Sequence, residues 1–506
     1  MNKKDVFILF AIVGLRAILS IFLWNHTGGF FLLTGDDASR TALAYYWSQD
    51  PFFNLPGNPA WLPLGIWLHG IVLKFVDDPL LVSSLVNSIF SIASVFLIYK
   101  ITQRLFPGKP VAPLFAAVIL AFCPLLIWLG LSGLSEAIFH FWMLIGLLFW
   151  LLASATNTRM YLLSSIGFLG ASMIRFEAWI LVIVFAASCA IDLKRSQRKG
   201  IILMSVAVAG AFIPIWLYWQ WKVYGHPLHF IQIFTSTSPK SGLTQYVLLL
   251  WNISRLGMIL AFLGVVVSLW KNECAKRYLL FTLVFYFTFM FSMRGFITSN
   301  FPVRNLTSVF LLLIPFAGYG IEFIVMTLGL SRMGVYMVMM AWMIGGSVQS
   351  FGHSFQARDE LVKTAIWSRR IIRSGLLRDG SKILLEARHG GPNERDVVWD
   401  SLFLHAVNPA KIHYDKIPDW RYNDGEWVIR EWDNPSILDG QSVEVEKRLR
   451  SQKIQVVIAY SKPVLKVIES IMKPIAEWKE YRVYSWPDDD EFIRKLPSLH
   501  TGKSTY

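Results

Sequence analysis

The sequence predicts a polytopic α-helical membrane protein with about eleven transmembrane helices and a C-terminal extracytoplasmic α/β domain. Of its 506 residues, 54% are hydrophobic and only 16% are charged, and the mean hydropathy is +0.47. A soluble domain carries about 25% charged residues. Apolar windows of the roughly 20 residues that span a bilayer as a helix recur as far as Gln349, after which charged residues become frequent. We therefore predict a membrane domain at 1–350 and a soluble domain at 351–506.

The membrane domain contains eleven candidate spans separated by polar loops. Alternate loops carry unequal numbers of lysine and arginine residues, fourteen in one set and seven in the other. The positive-inside rule then predicts a cytoplasmic N-terminus, and an odd number of spans puts the C-terminal domain outside, together with a long first loop at 25–79. We expect the plasma (inner) membrane of a prokaryote, since long eukaryotic insertions are absent. The predicted spans are 6–24, 80–99, 111–131, 137–155, 160–175, 178–191, 201–221, 243–270, 278–293, 305–328 and 333–350.

The net charge and the cysteines exclude several other classes of protein. Most of the formal charge of +14 belongs to residues 1–349, because the remaining residues carry 25 basic and 23 acidic side chains. This excess indicates membrane topology and argues against nucleic-acid binding. The three cysteines have neither disulfide-framework nor zinc-site spacing. The apolar run from Val6 to Trp24 lacks a small-residue cleavage site, so we expect an uncleaved first span.

The residues after 350 alternate strand-like and helix-like patterns. Such alternation predicts a small α/β domain, and no nucleotide-binding glycine fingerprint is present in it. We expect this domain to bind an acceptor or to cover a site in the membrane domain. The strand-like runs are Lys382–Glu386, Lys411–Tyr414, Trp427–Arg430, Ile454–Ala459 and Tyr481–Ser485, and the main helix-like run is Val443–Ser451.

An acidic pair, Asp36 and Asp37, follows the first span by about ten residues, with Arg40 three residues further on. Repulsion between neighbouring carboxylates raises the pKa of one of them, and a nearby arginine lowers it. One carboxylate could then act as a general base on an acceptor hydroxyl or amine. The alternative is that Asp37 is the N-cap of a helix that runs through Tyr45.

Four more charged residues lie in loops on the same predicted face. Glu136 occupies a short turn between two apolar spans, where it is either an interfacial helix cap or a functional acid. Arg175 and Glu177 flank Phe176 and could pair with each other, or Arg175 could bind an anionic group through its guanidinium fork. Arg304, at the mouth of the tenth span, has the same potential.

Two histidines and a tryptophan complete the set of candidates. His226 and His229 are interpreted as structural, as metal ligands or as a proton shuttle. Trp61 fits an aromatic belt at the membrane interface, and an aromatic face also suits a sugar ring. The sequence leaves open whether a divalent metal ion binds, and Asp37, Glu136 and His229 are its candidate ligands.

Taken together, these loops resemble the membrane-embedded GT-C glycosyltransferases, especially the protein O-mannosyltransferases and aminoarabinose transferases of the glycosyltransferase family 39 type. The family's acidic pair after the first span is matched at Asp36 and Asp37, and a D-D-A-x-R string extends the match to Arg40. The order, spacing and common face of the motifs, over about 270 residues, carry the resemblance. The further matches are Trp61 to Leu64, Ser135 with Glu136, Arg175 to Glu177, and Tyr224 to Leu228.

The resemblance implies a glycosyltransferase that moves a sugar from a polyprenyl-phosphate donor, dolichyl or undecaprenyl, to a protein, lipid or glycan acceptor. Transfer would take place on the outer membrane face with inversion at the anomeric carbon. Asp37 is the first candidate for the base and Asp36 the second. Glu136 would support the site or hold the acceptor, and Arg175 with Arg304 would stabilise the departing phosphate.

Two other classes of function compete with this interpretation. A transporter or a flippase of a glycolipid would place ionisable residues near the midplane and on both sides of the membrane, often with internal repeats. Here the unusual residues collect on one predicted face, and no repeat is evident. A non-catalytic scaffold would leave the pair at Asp36 and Asp37 without a role.

Overall fold

A computed structural model gives the fold, and it describes most of the membrane domain and parts of the C-terminal region. The first described part comprises residues 3–27, 31, 35–53, 61–154, 156–194, 197–231, 248, 250–251, 253–269, 272–295, 302–332, 334–335, 337 and 339. The second comprises 368–369, 371–372, 376–378, 380–386, 407–414, 419–423, 426–430, 437–438, 440–459, 462–478 and 481–489.

The secondary structure of the described residues up to 339 consists of α-helices joined by turns, without a strand, which confirms the predicted polytopic helical fold. Among the described residues, four helices are long and apolar enough to cross a membrane, at Lys3–His26, Pro79–Leu105, Lys199–Tyr224 and Leu306–Leu328. The helices are α1 (Lys3–His26), α2 (Gly35–Gln49), α3 (Pro63–Leu73), α4 (Pro79–Leu105), α5 (Val111–Phe122), α6 (Pro124–Leu129), α7 (Glu136–Leu152), α8 (Arg159–Ser172), α9 (Glu177–Leu193), α10 (Lys199–Gly210), α11 (Phe212–Tyr224), α12 (Arg255–Leu269), α13 (Glu273–Gly295) and α14 (Pro302–Leu328).

Ten of the eleven predicted spans coincide with one of these helices or with a consecutive pair. The predicted span at 111–131 is divided into α5 and α6 at Cys123, which takes the extended conformation (φ −64°, ψ 122°). The break has a local cause, because Pro124 disfavours helical geometry in the residue before it and has no N–H to donate. The eleventh predicted span, 333–350, lies mostly outside the described residues.

A polar stripe on α4 supports the non-helical turn between α6 and α7. Asn87 Nδ2 donates to the carbonyls of Ser132 (2.5 Å) and Leu134 (2.6 Å), and Ser84 Oγ donates to that of Leu131 (2.5 Å). Ser88 Oγ donates to Gly130 O at 2.9 Å. These carbonyls are buried outside a helix and therefore need partners from elsewhere in the protein. The stripe therefore makes a short turn before Glu136 possible.

Helices α12 and α14 pack closely through glycines. A Cβ on Gly264 would lie 1.9 Å from the carbonyl oxygen of Phe316, and one on Gly320 would lie 2.2 Å from that of Leu260. Small residues allow membrane helices to approach to backbone contact, where dispersion forces hold them together. This contact holds α14, which carries Arg304 in its first turn, against α12.

The C-terminal region forms the predicted α/β structure. A mixed five-stranded sheet has the order β2-β1-β5-β7-β6, and β3 pairs with β4 in a separate hairpin. Strand β5 is buried along its whole length at the centre of the sheet, where its one polar residue, Gln455, hydrogen-bonds to Asp489 and to the amide of Arg378. The elements are β1 (Lys382–Leu385), β2 (Ile412–Tyr414), β3 (Asp419–Asn423), β4 (Glu426–Arg430), α15 (Ser442–Ser451), β5 (Ile454–Ala459), α16 (Lys462–Ile468), β6 (Lys473–Trp478) and β7 (Tyr481–Ser485).

All five predicted strand-like runs contain a strand, and the predicted helix coincides with α15. Two strands, β3 and β6, had not been predicted. Strand β6 contains Pro474, which cannot donate to a neighbouring strand and is tolerated because β6 is at the edge of the sheet. Strand β3 contains aspartate and asparagine, which are depleted in strands.

Arg369 joins the C-terminal region to the membrane domain. Its Nη2 donates to Asp78 Oδ2 at 2.6 Å, and its guanidinium lies 5.2 Å from the ring centroid of Trp24. Asp78 is also the N-cap of α4, where it accepts from the amide of Leu81 at 3.1 Å. Arg369 therefore lies where α1 ends and α4 begins.

Candidate active site

Helix α2 carries the acidic pair in its first turn, where carboxylates interact favourably with the helix dipole. Asp36 is partly exposed, with 36% of its side chain accessible, whereas Asp37 is fully buried. The predicted helix through Tyr45 is present. Asp37 is the third residue of this helix, in its first turn, and its interpretation as a cap stays a prediction.

Glu136 lies between two arginines at the start of α7. Its Oε1 accepts a hydrogen bond from Arg175 Nη1 at 2.7 Å and lies 3.0 Å from Arg304 Nε. Arg175 also binds Glu177, through Nη2 to Oε1 at 2.6 Å and through Nε at 3.2 Å. The predicted pairing of Arg175 with Glu177 is present, and Arg175 additionally reaches across to α7.

Arg304 connects this group of charges to the acidic pair. Its Nη2 donates to Asp36 Oδ2 at 2.8 Å, across 268 residues of sequence. Helices α2, α7, α9 and α14 and the turn before α9 thus each contribute one charged side chain to one cluster. We call Asp36, Glu136, Arg175, Glu177 and Arg304 the charge cluster, and the end of the helices where they lie the site end.

The charge cluster is largely shielded from solvent. Glu136 is 1% exposed, and the side chains of Arg175 and Arg304 are 11% and 9% exposed. Removing charges from water is costly, and only close pairing compensates for it. Among the described residues, Glu136 Oε2 has no hydrogen-bond partner. This oxygen is an acceptor site within the cluster.

Arg40 lies beside the charge cluster and holds Trp61. Its guanidinium is 4.7 Å from the centroid of the Trp61 ring, a cation–π contact. Burial lowers the pKa of Arg40 to about 10, with Asp36 and Glu136 opposing the shift, so Arg40 is protonated at neutral pH. Both predicted residues therefore lie at the site end, Arg40 as a buried cation and Trp61 stacked on it.

The two histidines lie in the segment after α11, which packs against Phe176 through Phe230. His226 is exposed, and its Nδ1 accepts from the amide of Leu228 at 3.2 Å within its own turn. His229 stacks on Tyr224 with ring centroids 4.4 Å apart. The same segment reaches the cluster through Phe230, which stacks on Phe176 at 4.3 Å. His229 is thus packed against an aromatic ring, whereas His226 lies at the surface.

The described residues contain no group of three or more His, Cys, Asp or Glu side chains that could hold a metal ion. Asp37, Glu136 and His229 accordingly do not form one there. The surroundings of Glu136 also oppose a divalent cation, because two guanidinium groups already lie against its Oε1. The residues present do not fit a metal site at Glu136.

Several polar residues near the charge cluster had not been predicted. Arg16 is buried within α1, and Asn87, His140 and Thr307 are buried on α4, α7 and α14. A sequence signal existed for Arg16, since an ionisable residue inside an apolar span is a functional candidate by default. The partners of the other three come from distant helices, which gives no local signal.

The comparisons with known proteins agree with this fold. Residues 58–219 match the family model of dolichyl-phosphate-mannose-protein mannosyltransferase. The structure of ArnT from Cupriavidus metallidurans bound to undecaprenyl phosphate matches with a TM-score of 0.55 at 11% identity. The same protein in the apo state matches with a TM-score of 0.53 at 13% identity. Each alignment covers 94% of this chain and 97% of the other. No curated protein sequence matches the chain. Residues 58–219 thus match a family of membrane glycosyltransferases, and the whole chain shares the fold of ArnT; both findings support the resemblance to the GT-C glycosyltransferases.

Proposed function

We propose that this protein transfers a sugar from a polyprenyl-phosphate donor to an acceptor hydroxyl or amine at the site end of the membrane domain. The observation that carries the proposal is the convergence of Asp36, Glu136, Arg175 and Arg304 from separate parts of the chain. The ArnT structure with undecaprenyl phosphate supports a lipid phosphate as the carrier. We further propose that the site end faces the outside of a prokaryotic plasma membrane, as the loop charges predict.

Arg304 is the best placed group for the phosphate of the donor. A guanidinium binds phosphate oxygens with charge-assisted hydrogen bonds. Each arginine is engaged by two carboxylates, since Glu136 contacts both, Glu177 pairs with Arg175 and Asp36 pairs with Arg304. Of these carboxylates only Asp36 is substantially exposed. A phosphate can therefore replace Asp36 on Arg304 more readily than it can replace the partners of Arg175.

Asp36 is favoured over Asp37 as the general base. A base has to come within hydrogen-bond reach of the proton that it removes, and only Asp36 of the two is accessible. In the proposed step the acceptor oxygen or nitrogen attacks the anomeric carbon while the bond from that carbon to the phosphate oxygen breaks. The acceptor proton passes to Asp36, the configuration inverts, and the polyprenyl phosphate leaves with the bonding electrons.

Glu136 has a separate role in the proposal. Its Oε1 orients Arg175 and Arg304, and its Oε2 can accept a hydrogen bond from a hydroxyl of the sugar or the acceptor. A polar group buried in this way is stabilised when substrate supplies the missing donor. Glu136 would thus link the binding of substrate at its Oε2 to the positions of Arg175 and Arg304.

A transfer assay with the purified protein tests the proposed function. The protein is incubated with a panel of polyprenyl-phosphate sugars and candidate acceptors, and both transfer and donor hydrolysis are measured. We expect transfer or hydrolysis of at least one donor, and loss of both in the double variant Asp36→Asn with Arg304→Gln. Movement of a labelled donor across a proteoliposome bilayer without any cleavage would contradict an enzyme and support a flippase.

A further inference from the structure

A second polar layer lies one helical turn deeper than the charge cluster. His140 follows Glu136 by four residues on α7, and Thr307 follows Arg304 by three on α14. Residues at these spacings lie on the same face of a helix. Both side chains are buried, and His140 Nε2 lies 3.2 Å from Thr307 Oγ1. The pair thus joins the two helices that carry Glu136 and Arg304.

The hydroxyl of Thr307 determines the direction of this hydrogen bond. Thr307 Oγ1 donates to the carbonyl oxygen of Arg304 at 2.5 Å, which uses its one proton. The contact with His140 therefore requires the imidazole to donate, so Nε2 carries the hydrogen. In the neutral ring Nδ1 is then an acceptor. No hydrogen bond from the described residues reaches that nitrogen.

A small cavity of about 10 Å³ adjoins His140, and its otherwise apolar lining also includes Ser91 and Ser94. A volume of that order accommodates about one water molecule when two or more polar groups surround it. Ser91 Oγ accepts from Arg16 Nη2 at 3.2 Å and retains its own proton for donation. The cavity therefore offers a donor at Ser91 and an acceptor at His140 Nδ1.

We propose that His140 is a positioning residue for the site, held by Thr307 on one side and by a bound water molecule on the other. The hydrogen bond from His140 to Thr307 keeps the first turn of α14 in register with α7, so that Arg304 remains against Glu136 and Asp36. The water connects the imidazole to Ser91 and hence to Arg16 on α1. This inference rests on the proposed function only in assigning the lipid phosphate to Arg304.

The test compares paired variants by their affinity for undecaprenyl phosphate, a probe that does not depend on turnover. Thr307→Val removes the hydroxyl, whereas Thr307→Ser keeps it. His140→Leu removes both ring nitrogens, whereas His140→Gln keeps an amide donor that can reach Thr307. We expect Thr307→Val and His140→Leu to weaken binding about tenfold, the loss of one hydrogen bond of roughly 1.4 kcal/mol. The conservative partners should stay within threefold of the wild type.

Two further measurements decide the proposal: the affinity of a double variant and the water density beside His140 in an experimental map. In the double variant of His140→Leu with Thr307→Val, the combined loss should be clearly less than the sum of the two single losses, because both variants remove the hydrogen bond between His140 and Thr307. Full additivity, or wild-type affinity in Thr307→Val, would overturn the positioning role even if sugar transfer is demonstrated. If no transfer is found in any assay, the paired affinities still decide the role of His140. A high-resolution experimental map without water density beside His140 Nδ1 would contradict the proposed water molecule.

Discussion

Arg304 at the start of α14 and Asp36 at the start of α2 form an ion pair with 2.8 Å between Nη2 and Oδ2. The pair joins the group best placed for a phosphate to the group best placed as a base. Phosphate and carboxylate compete for the same guanidinium, so donor binding would release Asp36 towards the acceptor. This arrangement predicts that the donor binds before the acceptor becomes reactive.

The first prediction separates the two acids of α2. Asp36→Asn should lower kcat for sugar transfer by about 10²-fold or more, because an amide cannot accept the acceptor proton. Asp37→Asn, a buried neighbour with the same change of chemistry, is the matched comparison and should retain more activity. Initial transfer rates and thermal unfolding of both purified variants are the measurements. A folded Asp37→Asn variant with the greater loss would assign the base to Asp37.

The second prediction concerns donor affinity. Arg304→Gln should weaken binding of undecaprenyl phosphate by about 10- to 100-fold, as expected for a charge-assisted hydrogen bond of roughly 1.5–3 kcal/mol. Asp36→Asn should bind the same lipid at least as tightly as the wild type, because the competing carboxylate is gone. Titration in detergent measures both affinities.

Arg277 supplies the control for Arg304. It binds Asp192 at 2.7 Å near the other end of α9 from Glu177, about 22 Å along the helix by its rise per residue. Arg277→Gln should leave lipid phosphate affinity unchanged. Equal weakening in both arginine variants would mean that the effect comes from general destabilisation rather than from a lost phosphate contact.

The third prediction concerns stability. Glu136→Gln should lower the free energy of unfolding by about 3 kcal/mol, because it leaves buried guanidinium groups without their carboxylate. Glu273→Gln removes an exposed acid, 88% accessible, from its pair with Lys276 and should have no measurable effect. Thermal unfolding in detergent compares the two. A Glu136→Gln protein as stable as the wild type would show that the charge cluster is well solvated.

The fourth prediction concerns helix packing. Gly264→Ala should destabilise the protein by about 1–3 kcal/mol, because the new methyl group would clash with the carbonyl of Phe316. Gly14→Ala on α1 adds a methyl group with no atom within 4 Å and should be tolerated. The two unfolding temperatures, measured side by side, check this. Similar temperatures would mean that α12 and α14 separate easily.

The sequence predicted the helical membrane fold and most candidate residues because both depend on local information. Long apolar runs indicate spans wherever they occur, and α14 and α4 lie close to their predicted bounds. The break at Cys123 has a local cause, Pro124, although the apolar run at 111–131 predicted a single uninterrupted span. Strand β6 was missed because its proline is compatible with a strand only at an edge, and edges are defined by neighbours.

What the sequence determined by itself is that the chain crosses a membrane many times and that its unusual polar residues follow particular spans. Hydropathy and loop charge act over a few neighbouring residues and so can be recognised without a fold. Only the tertiary structure decided that Arg304 pairs with Asp36, that Glu136 lies between two arginines, and that His140 meets Thr307. These contacts join residues up to 268 positions apart. They exist because helix packing brings those faces together, and burial then requires each charge to have a partner.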